Sequence, residues 1–137
     1  MLILLTKKMN KDIDKFLNSI GNSKFRGSFH LNKKMKEYVF FKGMDEIKHH
    51  AYEIVTSRLA PSDIKNDGKQ TPMKQVHPIF IAQHATGCCC RGCIERIHRI
   101  PKCKELSKEE IDYIVSILIR YIENECSKEV DYGKRKN

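Results

Sequence analysis

Between Ser107 and Ile122 the chain reads SKEEIDYIVSILIRYI. Ile111, Ile114, Val115, Leu118, Ile119 and Ile122 stand three or four residues apart in it. In a helix these positions form one broad apolar face, which other parts of the chain must cover. Ser107 with Glu110 is a capping box, so the start of the helix is fixed too. This spacing predicts a central packing element. Cys126 continues the same face and reads as a small hydrophobe.

The rest of the chain repeats the pattern. Ile13, Phe16, Leu17 and Ile20 share a face, with Asn10 as cap and Gly21 as stop. Leu31, Met35, Tyr38 and Val39 make the next helix, which ends near Gly43. Ile47, Ala51, Ile54, Val55 and Leu59 line a third, capped by Asp45 and closed by Pro61. A fourth starts at Pro78 and runs to His98, with Gly87 and Gly92 as its weak points. The best strand candidate, YVFF at 38–41, is short. Prolines 61, 72 and 78 and the Asn66–Asp67–Gly68 turn leave 60–78 irregular. The expectation is an all-α fold: one domain over 1–137, a compact bundle of about five helices with one long irregular loop. Residues 1–9 and 128–137 are expected to be loosely ordered tails. Ile47-x-x-His50-Ala51 recurs as Ile81-x-x-His84-Ala85, which predicts two helices that each turn a histidine inward.

No apolar run approaches the roughly 18 residues of a membrane span. The opening MLILL is too short for a signal peptide and is followed by its charges. A cytoplasmic protein without a membrane partner is expected, where clustered cysteines serve as metal ligands or free thiols more often than as disulfides. The net charge is +9. Residues 1–50 hold 11 Lys and Arg against 5 Asp and Glu, or +6, and residues 51–100 hold 7 against 4, or +3. Residues 101–137 hold 8 against 8 and are neutral. A basic N-terminal half suits a polyanion such as nucleic acid, although lysine-rich surfaces also occur without one. Lys24, Arg26 beside Phe25 and Phe29, and Arg91 are the candidate nucleic-acid contacts.

The chemistry concentrates in Gln83–Lys102, QHATGCCCRGCIERIHRIPK. Four of the six cysteines and two of the six histidines fall there. Zinc needs several soft ligands converging at about 2.0–2.3 Å from one point, and Cys90-x-x-Cys93 has the spacing of a ligand pair. On a continuous helix, Cys88 and His98 fall within about 40° of His84, whereas Cys89, Cys93 and Cys90 fall about 140–240° away. The two groups then face opposite ways unless the helix breaks. The candidate metal set is Cys89, Cys90, Cys93 and His98, with zinc as the metal and iron as the alternative. Buried unligated cysteines or a reactive thiol beside Arg91 are the competing readings. A hydrolytic enzyme acting on nucleic acid or nucleotides is the second functional reading. In it Asp67, Lys69, His77 and His84 supply acid, base and anion contacts. A helical interaction protein with no metal is the third.

The segments SKFRGSFHL, NDGKQTPM, HPIFIAQHAT, CCRGC and HRIP, in this order, resemble an uncharacterised bacterial, archaeal and viral family, domain of unknown function 4186. The resemblance runs from about Ser23 to about Ile122. Family members resemble HATATCCRGC where this chain has HATGCCCRGC, so the pattern falls on Cys89, Cys90 and Cys93. Cys88 stands where a threonine is usual, and Cys103 where glycine tends to follow IPK. The resemblance implies a site at Cys89, Cys90 and Cys93 and implies no reaction.

Overall fold

The computed structural model describes residues 2–73 and 76–128, for residues 2–9 the backbone only. Six α-helices follow in order: α1 (Leu2–Ile20), α2 (Lys33–Lys42), α3 (Met44–Arg58), α4 (Pro78–Thr86), α5 (Arg91–His98) and α6 (Lys108–Ser127). A 3-10 turn at Arg26–Ser28 stands between α1 and α2. Among the described residues there is no strand, and 38–41 belongs to α2. Helix α1 begins at Leu2, well before the cap expected at Asn10. The expected C-terminal tail after Lys128 lies outside the described residues.

Helix α6 is the centre of the packing and touches α1, α3 and α4. Its Ile114, Val115, Leu118 and Ile122 are fully buried, each contributing about 1.5–3 kcal/mol of apolar transfer. The expected capping box is present: Ser107 Oγ accepts from the Glu110 N–H, and Glu110 accepts from the Ser107 N–H. Arg120 of α6 donates two 2.9 Å hydrogen bonds to Asp14 of α1. Cys126 packs against the core, as its place on the apolar face requires.

The helix expected over 78–98 is two helices. Gly87 takes the left-handed conformation (φ 77°) and ends α4. A side chain there would also strike Ile97, whose Cδ1 lies 2.4 Å from the position a Cβ would occupy. Position 87 therefore favours glycine for its backbone angle, and a side chain there would also require Ile97 to shift. The chain then turns through Cys88 and Cys89 to Cys90, the cap of α5.

The long loop is pinned at several points. Asp67 accepts from the N–H groups of Arg91 and Gly92, the first two of α5. The next, that of Cys93, reaches Cys90 Sγ at 3.4 Å. Three otherwise orphaned donors of a short helix are thus satisfied. Burial acts to raise the Asp67 pKa, but Gln70 and these two N–H groups hold the carboxyl below its usual range. Arg91 itself is 2% exposed. Its guanidinium donates to Leu59 O at 2.9 Å, Pro61 O at 3.4 Å and Pro101 O at 2.7 Å, which ties the end of α3 to the segment after α5.

His77 caps α4. Its Nδ1 accepts from the Ile79 N–H at 3.0 Å, so its proton sits on Nε2, 3.0 Å from His50 Nδ1. His50 then carries its proton on Nε2, which faces Glu46 at 3.2 Å. Burial, and the proximity of His50, lower the His77 pKa from 6.5 to about 4. At neutral pH folded His77 is neutral and the unfolded residue is mostly so. As pH falls below 6.5 the unfolded chain takes up a proton that folded His77 refuses until about 4. Stability is therefore expected to fall by roughly 2–3 kcal/mol across that window. Urea unfolding of the wild type and of His77→Asn, which keeps a capping acceptor but cannot titrate, checks this. The variant should lose the His77 share of the pH dependence and keep the part from His84 and His98, whose pKa values burial also lowers, and a profile identical to the wild type's would show that His77 contributes nothing.

Candidate metal centre

The break at Gly87 rearranges the cysteines. With α4 and α5 separate, the Sγ atoms of Cys89, Cys90 and Cys93 all lie within 4.8 Å of one another. Three tetrahedral thiolates at about 2.3 Å from zinc would stand about 3.8 Å apart, so the sulfurs need close by no more than about 1 Å. Cys89 and Cys90 are buried and Cys93 is half-buried. Thr71 Oγ1 donates to Cys89 O at 2.8 Å and fixes the turn from the loop side.

Arg26 has a role at the cluster that its place in the sequence does not announce. It reaches the cluster from the 3-10 turn, donating to Cys93 Sγ at 3.3 Å and Cys89 Sγ at 3.7 Å. It also donates to His84 O at 2.7 Å. Expected as a phosphate contact, it is instead committed to the sulfurs. Its approach needs Gly27, where an added Cβ would lie 2.1 Å from Gly21 O. Nothing in spacing signals a contact across more than sixty residues. Arg96 adds a further donor 3.5 Å from Cys93 Sγ.

The sulfurs differ in acidity. Burial acts to raise the Cys93 pKa, but hydrogen bonds from Cys90, Cys89 and Arg26 hold it below the usual thiol value. Burial, with the neighbouring Cys93, pushes Cys89 up to about 12. Cys90 is raised as well, first by burial. Cys93, beside Arg26, is thus the most acidic of the three, and a bound cation would favour the thiolate form of all of them.

The expected metal set is split. His98 stands with Cys88 at 3.4 Å, away from the triad. Its Nε2 donates to Thr86 O at 2.9 Å, and its Nδ1 accepts from Tyr113 Oη at 2.9 Å, so both ring nitrogens are engaged. Cys88 is fully buried, and burial pushes its pKa up to about 12. Cys103 is exposed and has φ 70°, the left-handed region that glycine adopts without strain.

Three of the groups of the hydrolytic reading are engaged by neighbouring backbone. Asp67 caps α5 and His77 caps α4. His84 is buried with Nε2 donating to Thr71 O and Pro72 O, and its ring stacks on Phe29 at 5.3 Å. Burial lowers its pKa and the two carbonyls act against that shift. Lys69 is exposed. The loop packs over His84 as that reading requires, yet the cavity beside Asp67 is lined by Pro61, Arg91, Lys102 and Cys103, not by the histidines. Of the expected nucleic-acid contacts, Arg91 is buried on carbonyls and Arg26 is held by the sulfurs. Lys24 is exposed.

Residues 14–123 match the family described as domain of unknown function (DUF4186). The chain belongs to that family. The DUF4186 match takes in Arg26, the loop and all three cysteines of the triad, so the candidate centre lies wholly within the family's domain. No solved structure matches the chain. No helix among the described residues is long and apolar enough to cross a membrane.

Proposed function

We propose that this DUF4186 domain is a metal-thiolate protein that holds one zinc ion on Cys89, Cys90 and Cys93 and binds nucleic acid. The observation that carries the metal is the convergence of three Sγ atoms within 4.8 Å, with Arg26 donating to two of them. Soft thiolates select zinc among common divalent ions, and iron is the alternative. Three thiolates on one zinc leave a net charge of −1, which the guanidinium of Arg26 offsets. Among the described residues no fourth side-chain ligand joins the triad. Three protein ligands leave a position for water or an incoming group, the arrangement of zinc sites that exchange ligands. Cobalt(II) titration of reduced, metal-free protein tests the centre. Thiolate-to-metal absorption that saturates at one equivalent and is bleached by zinc supports it, and no absorption opposes it.

Arg26 acts through the sulfurs as a positioning residue. Arg26→Gln is expected to weaken metal binding by roughly 10–100-fold, the usual effect of losing an outer-shell donor. Competition with a chelator measures this, and Arg26→Lys should restore part of the loss. A merely structural role would lower thermal stability and leave the affinity of the folded protein unchanged.

The nucleic-acid part of the reading is supported by the charge of +9. Phosphate contacts make such binding fall steeply with salt. Retention on immobilised single-stranded or duplex DNA at low salt, lost on raising the salt, is the expected behaviour.

A further inference from the structure

Helix α2 buries Met35 and Val39 and turns its other face outward. On that face Phe40 is 90% exposed and Phe41 is 84% exposed, more than any other large apolar side chain among the described residues. Phe40 lies two turns beyond Lys33 and Phe41 two turns beyond Lys34, about 10 Å along the axis in each case. The helix holds four lysines, Lys33, Lys34, Lys36 and Lys42, against Glu37, a net charge of +3. Tyr38 flanks the pair, with Lys42 Nζ 5.9 Å from its ring centre and the His77 ring edge-on at 5.5 Å.

We propose that this face of α2 is a stacking platform for single-stranded nucleic acid, with Phe40 and Phe41 against unpaired bases and Lys33 and Lys34 on phosphates. The inference rests on the nucleic-acid part of the proposed function and is independent of the metal. Exposed neighbouring phenylalanines ask for a partner with flat apolar surfaces, and the lysines ask for an anionic one. A single strand offers both, because each base has a free face and each step a phosphate. In a duplex the base faces are already stacked on one another. A second copy of the chain would bring +3 against +3 across a self-complementary contact. An anionic bilayer would want a helix whose apolar stripe faces outward, and here that stripe, Met35 and Val39, is buried in the core.

Fluorescence anisotropy with a labelled single-stranded oligonucleotide, at low and moderate salt, tests the assignment. Phe40→Ala/Phe41→Ala should weaken binding by at least about tenfold with the thermal midpoint unchanged, since both rings are exposed. Lys33→Ala/Lys34→Ala should flatten the salt dependence by about 1.4 in log–log slope, two phosphates at about 0.7 each. A duplex of equal length should compete poorly. Wild-type binding that both double variants retain would overturn the platform while leaving nucleic-acid binding intact. Equal competition by duplex would overturn the stacking mode. Binding of wild type to anionic vesicles that the oligonucleotide does not displace, lost in the phenylalanine variant, would reassign the face to a membrane surface. No binding of any oligonucleotide at low salt would remove the nucleic-acid reading as a whole. Metal content, measured on the same samples, reports separately on the cysteine centre.

Discussion

Replacing Arg91 by leucine is expected to cost about 3 kcal/mol and to lower the thermal midpoint by roughly 10–15 °C. Two effects oppose each other. A buried guanidinium without a carboxylate partner is costly to desolvate, and its Nε finds no acceptor. Removing it, however, orphans the buried carbonyl of Leu59, worth about 1–3 kcal/mol when left unpaired, and takes the partner from the part-buried carbonyl of Pro101. Leu59 also closes α3, where the negative end of the helix dipole favours a cation. The carbonyls are expected to win because leucine has no donor to offer them. Arg91→Lys, with a single ammonium for acceptors on different segments, should fall between. A cost below about 1 kcal/mol for leucine would mean that desolvation cancels the bonds and that Arg91 is no anchor.

Cys93→Ser is expected to lower metal affinity by more than about a hundredfold, beyond the loss from removing an outer-shell donor. Cys93 is the sulfur on which Arg26 and Arg96 both converge, at 3.3 and 3.5 Å. It is also the cysteine whose pKa lies below the usual value despite its burial, so it is the first of the three to ionise. Serine keeps the size and loses the thiolate. Cys103→Ser should leave affinity and stoichiometry unchanged, because that side chain is exposed and outside the triad. Cys88→Ala should keep one metal per chain and lose some stability instead, since Cys88 packs in the core. Equal loss in all three variants would point to non-specific thiol binding.

Helical periodicity carried most of the fold. The apolar face of α6, the cap at Ser107 and the stop at Gly43 could be read because spacing and cap chemistry are local. The break after Thr86 was half legible. Gly87 marked the place, but the packing of Ile97 against it is a tertiary fact. The triad was selected by the family resemblance, with the wheel of an unbroken helix grouping the same three sulfurs against His98. The geometry that gathers them is a different one, a turn capped by Asp67 and Cys90. Arg26 and Arg91 show the limit most clearly. A charged residue beside aromatic residues or cysteines reads as a surface contact, and only the packed chain shows one guanidinium held on sulfurs and the other on buried carbonyls. Asp67 and His77 show the same limit, since residues suited to acid–base chemistry are also suited to capping helices, and their capping bonds are visible only in the packed chain.

The most direct test of the metal centre is elemental analysis of the full chain, purified without a histidine tag and under reducing conditions, paired with native mass spectrometry. One zinc per chain, lost in Cys93→Ser and kept in Cys103→Ser, is the predicted result. A wild-type chain that carries no metal, takes up none from added zinc and leaves Cys89, Cys90 and Cys93 open to alkylation in the folded state would contradict it.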